Sequence, residues 1–193
     1  MAQASSKKER RAQQAQERAR KKIVRPIVVG GLIAAVAIFA AWSYFRPTEQ
    51  LGEHFTSMGR THIPQNTPVP RYNSSPPTSG PHAGLVRWDN FSAEISELNQ
   101  IHNLEHGGIL IQYNCTLLPA GKSCTAVETA LREITAKARR DINRKILLAP
   151  YSKMPRPIAV TAWRRLQYFD EADEEGILRF ADKFINKGPE FVP

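Results

Sequence analysis

Cysteine is scarce in this chain, with two among 193 residues, Cys115 and Cys124. Their separation is too wide for C-x-x-C redox chemistry. The chain also lacks a G-x-S-x-G turn, and no acid stands where it would orient Ser79 and His82 as a nucleophile and its base. A serine nucleophile is therefore not expected, because the hydroxyl needs both an activating geometry and an oxyanion hole. Acids are few at the start: residues 7–25 hold nine Lys or Arg against Glu9 and Glu17, which gives +7 of the formal +9. The remainder is close to neutral. The basic balance thus belongs to a local tail and not to a face of the folded part, so nucleic acid is not an expected partner.

Charge is absent altogether from residues 27–45, IVVGGLIAAVAIFAAWSYF. As a helix rising ~1.5 Å per residue, this run just spans a ~30 Å hydrocarbon core. Trp42 and Tyr44 stand at its C-terminal end, where amphipathic rings favour the membrane interface. The alternative is a cleaved signal peptide, but the charged leader is long, the run exceeds an ordinary apolar core of ~7–15 residues, and no A-x-A site follows. The expectation is a basic cytoplasmic tail over 1–25, a transmembrane helix over 26–45, a polar linker over 46–63 and an extracytoplasmic domain over 64–193. Juxtamembrane Lys and Arg also attract anionic lipid, so the bilayer is the first expected partner. An oxidising address favours a Cys115–Cys124 disulfide, with free thiols or metal ligation as the alternatives.

Six prolines fall between Pro64 and Pro81, a stretch that must be extended or turning because proline fixes φ and cannot donate to a ladder. Residues 91–106 carry Ile95, Leu98, Ile101 and Leu104 at weak helical spacing, closed by Gly107 and Gly108. Residues 108–114 then read as a buried strand. Residues 125–144 form the clearest helix, with Val127, Ala130, Leu131, Ile134, Ala138 and Ile142 on one stripe. Residues 145–149 and 158–162 read as strands, and 173–186 as a last helix that Asp173 can cap. The expected fold class is α/β, a small mixed sheet in β-α-β-β-α order covered by helices. Its first step would be a right-handed parallel crossover and its later strand pair a hairpin.

Histidine is also scarce, yet three of the five lie in two compact stretches, PPTSGPH (residues 76–82) and HNLEHGG (residues 102–108). His102 and His106 are four apart, so a helical turn would put both imidazoles on one face, ~5–6 Å apart at Cβ. With His82 and His62 they offer up to four nitrogens, and all-imidazole ligation points to copper or zinc. Residues 102–106 also satisfy H-x-x-E-H, in which Glu105 would be the general base of a metal-dependent hydrolase. The glycines that follow end any helix at once, which leaves Glu105 better suited to orienting a histidine from behind. A purely structural role for both stretches, in an envelope interaction module, is the third reading.

Residues 73–82 (NSSPPTSGPH), HNLEHGG, VTAW over 160–163 and the closing Gly188-Pro189-Glu190 together resemble the bacterial domain-of-unknown-function family numbered 3105. The resemblance runs over about residues 56–190. It implies one N-terminal membrane span and carries the family's histidine pattern onto His62, His82, His102 and His106, leaving His54 outside. It implies no activity. The expectation is therefore a single-pass cell-membrane protein that binds a transition metal outside the membrane, alone or with an envelope partner, more as carrier than enzyme.

Overall fold

The computed structural model describes residues 20, 22, 24, 28, 30, 31, 33–43, 51–190 and 192. The chain divides into two compact units, Met1–Glu49 and Gln50–Pro193. In the first, residues 33–43 are helical and exposed, and the rings of Phe39 and Trp42 lie 6.2 Å apart. Among the described residues no helix is long and apolar enough to cross a membrane. Most of the basic tail and part of the 26–45 span lie outside the described residues.

The second unit is mixed α/β, built from β1 (Glu53–His54), α1 (Glu97–Glu105), β2 (Ile109–Tyr113), α2 (Cys124–Asp141), β3 (Ile146–Pro150), β4 (Ile158–Ala162), β5 (Arg165–Phe169) and α3 (Glu174–Phe184). The sheet order is β1-β5-β4-β2-β3. β2 and β3 run parallel and are joined through α2, as the βαβ reading expects. Every residue of β2 and β4 is buried, which places both in the middle of the sheet.

Side chains alternate between the two faces of these strands. One set, Ile109, Ile111, Ile146, Leu148, Ile158 and Val160, packs on Leu131, Ile134 and Ala138 of α2 and on Ile177 and Phe180 of α3. The other face carries Leu110, Leu147 and Ala149 against Leu104 of α1. Two of the helices are started by a side-chain cap. Ser123 caps α2 by accepting from the Ala126 amide, and Asp173 caps α3 by accepting from the Gly176 amide. Leu98, Ile101 and Leu104 of α1 are almost fully buried, each contributing about 1.5–3 kcal/mol relative to exposure.

Two expectations are corrected. β3 and β4 do not form a hairpin: β4 pairs antiparallel with β2 on the side away from β3. Residues 151–157 cross over β2 to reach it, and Pro155 and Pro157 in this segment cannot donate to a ladder. The hairpin is instead β4–β5, with Ala162 paired to Arg165 across a two-residue turn in which Arg164 takes φ +60°. The irregular burial along β5 gives no clean period of two. The stretch expected to be a linker supplies β1, which pairs with β5, while Leu51 beside it is buried.

Cys115 and Cys124 pair as a disulfide, their Cα atoms 5.3 Å apart, and tie the end of β2 to the start of α2. Because the bond closes a short loop, reduction is expected to cost about 2–3 kcal/mol of stability. Urea unfolding with and without reductant measures this, and superimposable curves would show that the loop carries no such constraint.

Candidate metal centre

α1 ends where Gly107 adopts φ +77°, with the Gly107 amide donating to the Leu104 carbonyl and the Gly108 amide to that of Asn103. A Cβ on Gly107 would lie 2.7 Å from Asn186 Cα, and one on Gly108 would overlap the Trp88 ring. Both glycines are thus required by packing. Asn186 donates its amide to the Gly107 carbonyl and Glu190 its amide to that of Glu105, so the C-terminal segment lies across the end of α1.

The proline-rich segment is fixed with equal care. Tyr72 donates its hydroxyl to the Pro81 carbonyl at 2.7 Å and lays its ring where a Cβ on Gly80 would stand. Burial, with the charge of Glu97 adding to it, pushes this phenol up to about 12. Ser79 is fully buried and its Oγ accepts from the Met58 amide, which answers the nucleophile question with a structural role. The Ile63 amide donates to the His82 carbonyl and the His82 amide to that of Thr61, so His62 and His82 sit side by side.

Two elements therefore bring their imidazoles together. The ring centroids of His62 and His82 are 4.5 Å apart, those of His62 and His102 4.9 Å, and those of His82 and His102 5.1 Å. His82 is fully buried, His102 partly, and the His62 side chain is 58% exposed, which opens the group to solvent on one side. His82 Nδ1 lies 2.8 Å from the Gly80 carbonyl, and His102 Nδ1 contacts the Ala83 carbonyl. A carbonyl only accepts, so both Nδ1 atoms carry hydrogen and, in the neutral rings, both Nε2 atoms keep a lone pair. His82 Nε2 is 2.9 Å from Glu105 Oε2 and 3.3 Å from His62 Nε2. In a neutral His82 with hydrogen on Nδ1 this nitrogen has only a lone pair, so it and the Glu105 carboxylate, 2.9 Å away, are two electron-pair donors to which one cation could bind.

The four histidines do not form one group. His62, His82 and His102 form the first, their ligand atoms within 4.8 Å of one another, and His102, Glu105 and His106 form a second on the same criterion. The rings of His102 and His106 are 4.7 Å apart, as the helical spacing predicts. His106 Nε2 turns instead toward Glu190, 3.3 Å from Oε2. Burial, and then the neighbouring His102, push the His106 imidazole below its ordinary range, while Glu190 and Glu105 pull the other way.

Glu105 is not placed behind a histidine. The carbonyls of Gly80 and Ala83 perform the orienting role, and Glu105 faces Nε2 of His82 and of His62. Neither carbonyl has any signature in the sequence. Glu190 had one only as part of the closing Gly-Pro-Glu stretch, where nothing marked it as a partner of His106. His54 lies on β1, exposed, outside both groups.

The description Protein of unknown function (DUF3105) belongs to a family model that matches residues 62–192, which takes in every residue of both groups. No curated protein and no solved structure matches the chain.

Proposed function

We propose that this chain, which belongs to the family of proteins of unknown function DUF3105, is a membrane-anchored protein that binds a transition-metal ion, copper or zinc, through His62, His82 and His102. What carries the reading is the tautomer set by Gly80 and Ala83: two imidazoles have their Nδ1 hydrogens engaged on backbone, so that Nε2 is the nitrogen left to ligate. Protein metal sites fix histidine ligands in this manner. Glu105, almost fully buried beside His82, supplies negative charge that offsets part of the ion's charge.

The anchor in this reading is the uncharged run over 27–45, with the basic tail held in the cytoplasm. A disulfide at Cys115–Cys124 agrees with an oxidising, extracytoplasmic address. The bilayer is then one partner, and an envelope protein that gives or takes the ion past the exposed His62 is the other. The hydrolase reading needs Glu105 turned toward a metal-bound water, whereas its Oε2 lies against His82 Nε2, so binding or transfer is favoured over catalysis.

Nitrogen-15 NMR of the imidazoles tests the mode of ligation. Adding Zn2+ to the chelator-treated chain is expected to shift the Nε2 resonances of His82 and His102 strongly while their Nδ1 sites stay protonated. Unchanged spectra, or ligation through Nδ1, would refute the proposal.

A further inference from the structure

Each imidazole at this site has one free lone pair, and that limits what His102 can do. With Nδ1 engaged on Ala83, only its Nε2 remains, so it can serve one ion at a time although it belongs to both groups of ligand atoms. An ion taken by His62, His82 and His102 would leave His106, Glu190 and one oxygen of Glu105 unused. His106 links the other two, sharing a group of ligand atoms within 4.8 Å with Glu105 and making a charged contact with Glu190. His106 Nε2 lies 3.3 Å from Glu190 Oε2, and the backbone bond from the Glu190 amide to the Glu105 carbonyl fixes the strap that carries this carboxylate. The fit at Gly188 is close enough that a Cβ there would overlap the Glu105 carbonyl and the Gly107 amide. Gly188 is thus what lets the chain descend onto α1 and deliver Glu190 to His106.

We infer that the site holds two adjoining divalent cations, the second ligated by His106, Glu190 and Glu105, with Glu105 spanning the two positions. The inference rests on the metal-binding reading above and extends it. Glu105 suits the bridging place because a carboxylate has two oxygens, and its Oε2 is already committed to the His82 and His62 side, 2.9 Å and 3.7 Å from their Nε2 atoms. The donor sets differ in kind. Three nitrogens hold the first ion, whereas one nitrogen and two carboxylates hold the second, a harder set that favours an oxygen-tolerant divalent ion such as zinc or manganese over copper(I). The second set also includes Glu190, whose side chain is 48% exposed, so the second ion is the weaker and the more readily exchanged.

The test is a Zn2+ titration of the chelator-treated full chain, read by calorimetry and by metal content after gel filtration. The parent is expected to take two ions, the first tighter. Glu190→Gln, a substitution at an exposed side chain that keeps its shape, is expected to take one and to keep the first affinity within a factor of about 3. His106→Ala should give the same loss. One ion in the parent, two ions in Glu190→Gln, or a Glu190→Gln chain whose single ion is bound much more weakly would each overturn the two-ion arrangement and leave the three-histidine site standing. No ion in the parent would overturn both.

Discussion

Replacing His62 by alanine is expected to weaken metal binding at least about 100-fold while leaving the stability of the metal-free fold within about 0.5 kcal/mol of the parent. The two effects separate because of where the residue sits. Its side chain is 58% exposed, and the bonds that hold its segment in place are made by backbone, from Ile63 to the His82 carbonyl and from His82 to the Thr61 carbonyl. Alanine keeps all of these. What is lost is an Nε2 that stands 3.3 Å from His82 Nε2, at the open side of the cluster. Even residues that only support a ligand typically cost 10–100-fold in affinity when removed, and His62 is proposed as a ligand itself. Competition against a chromophoric chelator reads the affinity, and urea unfolding of the metal-free chain reads the stability. A variant that binds as tightly as the parent would remove His62 from the site.

Glu105→Ala is expected to act on the metal-free fold as well, lowering stability by about 1–3 kcal/mol even without metal. Its side chain is 2% exposed and that of His82 fully buried, and each is the other's near partner at 2.9 Å. Removing the carboxylate leaves a buried imidazole nitrogen facing a void. Glu105→Gln retains the shape and a polar atom at the same place, so it is expected to recover most of the stability while still losing affinity for the ion. Thermal unfolding of the three proteins, metal-free, separates these contributions. Equal losses for alanine and glutamine would show that charge, and not packing or polar contact, is what the site requires there.

How much of this was legible in the sequence differs from element to element. The stripe on α2 and the cap at Asp173 are local patterns, and both stand in the fold. So does the spacing of His102 and His106, which a single helical turn converts into neighbouring rings. The placement of β4 was not legible, because a strand buried on both faces carries no alternation to say which neighbour it pairs with. β1 is too short, and β5 too irregularly buried, to announce themselves.

The candidate site divides in the same way. Residue types and spacing pointed to His62, His82, His102 and His106, but not to their partition into two groups that share His102. That partition arises from long-range backbone placement. One bridge brings His62 beside His82, and one C-terminal strap sets Glu190 against His106. Glu105 illustrates the limit best. Its position in HNLEHGG suggested an orienting or catalytic carboxylate, whereas the Gly80 carbonyl, which no pattern could flag, takes the orienting place and leaves Glu105 facing the ligand space.

Metal binding by these histidines is read most directly as metal content per chain, by mass spectrometry, for the full chain loaded with copper or zinc and then passed through a competing chelator. The expected result is at least one retained ion in the parent and at least one fewer in the His62→Ala/His102→Ala double variant. Both substitutions leave Glu105 and the buried His82 in place, so the comparison is made between folded proteins. A parent that retains no ion, or a double variant that retains as much as the parent, would contradict it.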